Sequence, residues 1–138
     1  MKINPIIVLI FSIITTIGCF YLNISEFVRG ADSSWRNFIA TLLYIFTWLY
    51  VLVYAIKNKN KFLLAYNIFF WCINFAVFWG YTNELFADLL FVIIVLFGGQ
   101  WYGSEFIFKN IEVFQLCMLW ISLLMVVISS IFYKFVKR

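Results

Sequence analysis

Five long apolar runs, residues 5–22, 37–56, 62–81, 85–102 and 113–133, take up most of the 138-residue chain. About 18–25 mainly apolar residues make a helix long enough to cross a hydrocarbon core of about 30 Å. A soluble helix keeps a polar face, yet from Leu89 to Phe97 every residue is Leu, Phe, Val or Ile. Strands of a membrane barrel alternate apolar with polar residues, whereas these runs are apolar at consecutive positions. Backbone in hydrocarbon must satisfy its own hydrogen bonds. The pattern therefore predicts an all-α, polytopic membrane protein. It is expected to form one integral membrane domain, residues 1–138, with a bundle of five membrane-embedded helices and four or five full crossings.

The polar breaks set the expected boundaries. Pro5, the only proline, suits a helix start, where its missing N–H costs nothing. The opening Met1-Lys2 and the following apolar stretch have the form of a signal peptide. Thr16-Ile17-Gly18-Cys19 faintly resembles a lipoprotein cleavage site, but Phe20-Tyr21-Leu22 continues the run, so a retained first helix is expected. Asn23–Arg36 reads as the first loop, with Asp32, Ser33 or Ser34 as candidate caps for the second helix. Asn23-Ile24-Ser25 matches a glycosylation sequon and reads as a chance match.

Charge bears on topology. Lys57, Lys59 and Lys61 form a short basic turn, and Lys134, Lys137 and Arg138 a basic C-terminus. Lys and Arg in short loops stay cytoplasmic, which places the Lys57–Lys61 turn inside a cell membrane. Five crossings would put the C-terminal cluster outside and leave five basic residues on each side. If 85–102 enters and leaves on one side, seven lie inside and three outside. Gly98-Gly99 and Gly103 offer a place for such a re-entrant turn, given protein around it. Against this, the apolar strength of 85–102 favours a crossing, so the sequence leaves both arrangements open.

Composition narrows the chemistry. The chain is 66% hydrophobic, 23% aromatic and 12% charged. Its mean hydropathy is +1.02. A net charge of +4 suggests nucleic acid, but the basic residues lie between or after apolar runs and form no patch for a duplex. Cys19, Cys72 and Cys117 lie in three different runs without Cys-x-x-Cys spacing, so neither a redox pair nor a zinc site is expected. There is no histidine, which removes Ser-His-Asp triads and His-ligated metals. No catalytic, cofactor or metal site is expected.

Two constellations are candidate sites. Glu84 and Asp88 are four apart, on one helix face at a membrane boundary, where carboxylates gather cations or relay protons. The alternative is that they open a helix and face water. In the third run Asn67, Trp71, Asn74, Phe78 and Tyr81 share one side. Asn67, Trp71, Asn74 and Tyr81 are the candidate lining of a polar groove, since a carboxamide in lipid requires a partner. Ser12, Thr15, Thr16, Thr41, Thr47, Gln115, Ser122, Ser129 and Ser130 are candidate partners from other helices. Ala76 and Gly80 form a small-xxx-small pair. Gly99–Gly103 has GxxxG spacing but reads as an interfacial turn, and Ser104–Glu112 as a short interfacial helix.

The expected function is that of a small non-enzymatic membrane protein acting by contact with other membrane components, as an accessory subunit, regulator or immunity-type protein. Its expected surroundings are the lipid bilayer and a membrane protein partner or further copies of itself. The alternative is an oligomeric ion or small-molecule transport element with Glu84, Asp88, Asn67 and Asn74 along the path. A lipid-modifying enzyme is a third reading, with no nucleophile to nominate.

Overall fold

The computed structural model describes residues 3–82, 93, 95–108 and 111–136. It holds four long α-helices: α1 (Pro5–Arg29), α2 (Trp35–Lys57), α3 (Lys61–Thr82) and α4 (Ile111–Phe135). A 3₁₀ helix, η1 (Gly99–Phe106), precedes α4. No strand occurs among the described residues. All four α-helices are long and apolar enough to span a membrane.

Local chemistry explains the ends. Asn4 caps α1 by accepting from the Ile6 N–H at 3.0 Å, with Pro5 at the first helical position. At the other end Gly30 takes φ 61°, the left-handed geometry of a Schellman close. Its N–H reaches Phe27 O, and the Ala31 N–H reaches Glu26 O. α1 thus runs seven residues past its expected end, because Asn23 and Glu26 find partners on α2 rather than in water. Ser34 is the N-cap of α2. The 58–60 turn repeats the Schellman pattern with Lys59 at φ 50°, and Asn60 then caps α3 through Leu63 N–H at 3.0 Å.

The burial pattern is inverted relative to a water-soluble protein. Asn23, Asn37, Asn67, Asn74, Ser122 and Ser129 are fully buried, while Ile14 and Ile17 are 63% and 61% exposed. Water would reverse both placements; hydrocarbon explains both.

The described part of the fifth expected helix, 85–102, changes geometry along its length. Residues 83–92 and 94 lie outside the described residues, but 95–98 are α-helical and 99–106 continue as 3₁₀. The path is fixed by contacts. Lys61 Nζ lies 5.5 Å from the Tyr133 ring centre, so α3 begins where α4 ends. The Lys57–Lys61 turn and Lys134 therefore share one end of the bundle, and the 30–34 loop marks the other. α3 ends at this loop end. At Phe97, 5.9 Å from Phe70, the chain is near mid-depth. At Phe106, 4.5 Å from Trp35, it is back at the loop end. Eight residues of 3₁₀ helix rise about 16 Å, roughly half a hydrocarbon core. α3 thus ends and α4 begins at the same end of the bundle, and the described stretch 97–106 is packed inside protein, as non-spanning backbone at membrane depth must be. Among the described residues of the expected interfacial helix, 104–112, 3₁₀ geometry persists to Phe106, Ile107 forms a turn, and Ile111 already begins α4.

Candidate functional site

The polar interior has two parts. The first ties η1 into the angle between α1 and α2. Thr41 Oγ1 donates to Gln100 O at 2.7 Å and accepts from the Gly103 N–H at 3.1 Å. Asn23 Nδ2 donates to Gln100 O at 3.2 Å and to Thr41 Oγ1 at 3.3 Å. Asn37 Nδ2 donates to Asn23 Oδ1 at 3.0 Å and to Glu26 Oε2 at 2.8 Å, while Asn37 Oδ1 accepts from the Ser34 N–H at 2.8 Å. Glu26 also pairs with Arg36. Cys19 adds an S–H bond to Ala40 O at 3.0 Å. One connected network thus runs from an ion pair at the loop end into the buried backbone of η1.

Glycine permits this approach. A Cβ on Gly103 would lie 1.9 Å from the Asn37 carbonyl oxygen, and one on Gly99 3.1 Å from the Phe20 ring. The Gly99–Gly103 spacing thus serves intramolecular packing of η1, mainly against α2.

The second part is aromatic. Tyr44, Trp101, Trp71 and Trp48 close a ring of edge-to-face contacts, with successive centroid separations of 5.2, 6.0, 5.8 and 6.4 Å. It draws on α2, α3 and η1 and is the middle of the core. Phe70 stacks on Trp48 at 3.8 Å. Edge-to-face pairs of this kind add about 0.5–1.5 kcal/mol each beyond area burial. Several buried polar atoms of the interior find no hydrogen-bond partner among the described residues. They include the three indole N–H groups, Tyr44 Oη, both ends of the Asn67 amide, Asn74 Oδ1, Gln100 Oε1, Ser122 Oγ and Ser129 Oγ. Asn74 Nδ2 donates to Phe70 O at 3.0 Å.

Asn67, Trp71 and Asn74 share a buried face of α3, so they belong to an enclosed interior rather than an open groove. The side chain of Tyr81, and Glu84, Asp88, Lys137 and Arg138, lie outside the described residues. None of the candidate hydroxyls bonds the two amides. Thr15, Thr16 and Thr47 donate to carbonyls of their own helices at 2.8–2.9 Å. Ser12 donates to Leu9 O and meets Tyr66 Oη, and Thr41 serves η1. Ala76 is exposed while Gly80 is buried, so the small pair forms no single packed ridge.

Sequence reasoning missed Asn23, Asn37 and Gln100 as a set. A signal was present: Asn37 stands three after Ser34, the spacing of a reciprocal cap. At the loop end, a cleft of about 590 Å³ is lined by Asp32, Ser33, Glu105 and Phe106. No group of three metal-ligating side chains occurs among the described residues. The arrangement holds a segment of chain in place and presents donors to the interior. Comparison with protein-family models, curated proteins and solved structures finds no match.

Proposed function

We propose that this is a small, non-enzymatic integral membrane protein that works by contact with other membrane components, as an accessory subunit, regulator or immunity-type protein. The carrying observation is the contrast between its interior and its surface. The described polar residues of the bundle are largely consumed in holding η1 or sealed in the core. The spanning faces turned outward are apolar. α1 is the most peripheral helix, with 17% of its spanning window buried against 44% for α2. Ile10, Ile13, Ile14, Ile17 and Tyr21 on α1 are exposed and available to a neighbouring helix. The proposed setting is the cell membrane with the Lys57–Lys61 turn cytoplasmic. A re-entrant η1 segment gives the seven-to-three distribution of Lys and Arg that favours this orientation.

Photocrosslinking from positions 14 and 17 in native membranes tests the proposal. A discrete crosslinked band, from a partner protein or a second copy, is expected. Crosslinks to lipid alone at both positions would overturn it. A second reading, ion or small-molecule transport, is favoured by one observation, the unpartnered interior atoms of Asn67, Asn74, Ser122 and Ser129. Purified protein in liposomes separates the two. Solute flux abolished by Asn67→Leu or Asp88→Asn would establish transport, and no flux is expected if contact is the function.

A further inference from the structure

We infer that the outer groove between α1 and α2 is a binding site for an anionic phospholipid, with an acyl chain in the groove and the phosphate held at Lys57. The groove has a volume of about 500 Å³ and is lined by Ile3, Ile7, Phe11, Leu43, Phe46 and Tyr50, among others. Of the two hydroxyl-bearing residues that line it, Thr47 and Tyr50, Thr47 is already bonded to Leu43 O at 2.8 Å. The other lining side chains are hydrocarbon, so the groove offers mainly apolar contact. From Ile3 to Phe11 it follows α1 for about 12 Å, the form of a slot for an extended chain rather than a flat helix contact.

The position of the groove selects the headgroup. Tyr54 Oη bonds Ile3 O at the groove's end, which fixes that end near the close of α2. Leu43, Tyr50 and Lys57 are seven residues apart, so they follow one another on the same face of α2 with little angular drift. Lys57 thus continues the groove's own stripe, about 10.5 Å beyond Tyr50. Lys57 and Lys59 are exposed. Lys61 and Lys134 stand at the same end of the bundle, as the Lys61–Tyr133 contact requires. The described carboxylates, Glu26, Asp32 and Glu105, all lie in or beside the loop-end elements. The mouth is therefore positive and uncompensated among the described residues, and such clusters draw anionic headgroups. A lysine stem reaching along apolar surface to a polar boundary suits this geometry. The apolar slot and the basic mouth are separate features, and a charged amphiphile is the one ligand that uses both.

The test is native mass spectrometry of the purified protein in detergent carrying phosphatidylglycerol and phosphatidylcholine of identical chains. Phosphatidylglycerol should be retained about five-fold more, the factor one lysine contributes near an anionic surface. Lys57→Gln should bring the two lipids to near parity while total retention falls little. Leu43→Trp, at an exposed lining position, should fill the slot and reduce retention of both lipids. Glycerol phosphate, which carries the charge without the chains, should not displace bound lipid. Tryptophan fluorescence and gel filtration confirm that each variant is folded. Equal retention of the two lipids, an unchanged preference in Lys57→Gln, or displacement by glycerol phosphate would each overturn the inference.

Discussion

Gly103→Ala is the most demanding single substitution. The added methyl would meet the Asn37 carbonyl oxygen at 1.9 Å, its carbon at 2.2 Å and the Phe38 nitrogen at 2.6 Å. All three are backbone atoms within α2, so no side-chain rotation relieves the clash. Ordinary contact begins near 3.4 Å, so η1 and α2 must part by about 1.5 Å. That movement stretches the Thr41 bonds to Gly103 N and Gln100 O and the Asn23 bond to Gln100 O. Buried interhelical bonds in membranes are worth about 0.6–1.7 kcal/mol each, and overpacking costs about 1–3 kcal/mol. A loss of about 3–5 kcal/mol is expected. Unfolding in mixed micelles by dodecyl sulfate titration, followed by tryptophan fluorescence, reads it directly. Gly18→Ala is the control: a Cβ there meets nothing within 4 Å. It should be neutral or stabilising by up to about 1 kcal/mol, since Ala favours helix over Gly. If Gly103→Ala unfolds at the same dodecyl sulfate fraction as Gly18→Ala, the close seat of η1 on α2 is wrong.

Further expectations concern the polar interior. Thr41→Val keeps the side-chain shape but removes the oxygen shared by Asn23, Gln100 and Gly103. In the same titration it should cost about 2 kcal/mol. Asn67→Leu removes an amide unpartnered at both ends. Stability should rise by about 1 kcal/mol or more, with crosslinking from α1 intact; a fall would mean that a group outside the chain bonds this amide. Glu26→Gln keeps an acceptor for Asn37 and weakens only a largely exposed pair with Arg36. Its unfolding midpoint should barely move, and a large shift would show that the ion pair anchors the network.

The spanning helices were legible because lipid leaves a blunt record: runs of apolar residues without a polar face. The buried face of α3 was legible too, since Asn67, Trp71 and Asn74 fall at helical spacing and a carboxamide in lipid seeks the interior. The end of α1 was misread because Asn23 and Glu26 look like loop residues along the sequence. Their partners, Asn37 and Arg36, become neighbours only when the 30–34 turn folds α2 back on α1. The geometry of η1 was hidden for a related reason. Gly99-Gln100-Trp101-Tyr102-Gly103 carries no local preference for a buried 3₁₀ segment. Its shape depends on a slot built by the α2 backbone and on Thr41, 62 residues upstream of Gly103. The aromatic ring mixes residues from α2, α3 and η1, so no single periodicity announces it.

We propose that hydrocarbon surrounds these helices and that the segment between α3 and α4 begins and ends on the same side of it. Topology reporters fused after Ser33, after Lys59 and at the C-terminus measure both parts of that claim in intact cells. The reporters after Lys59 and at the C-terminus should give the same side, and the one after Ser33 the opposite side. Opposite sides for the Lys59 and C-terminal fusions, or a protein released without detergent, would contradict the account.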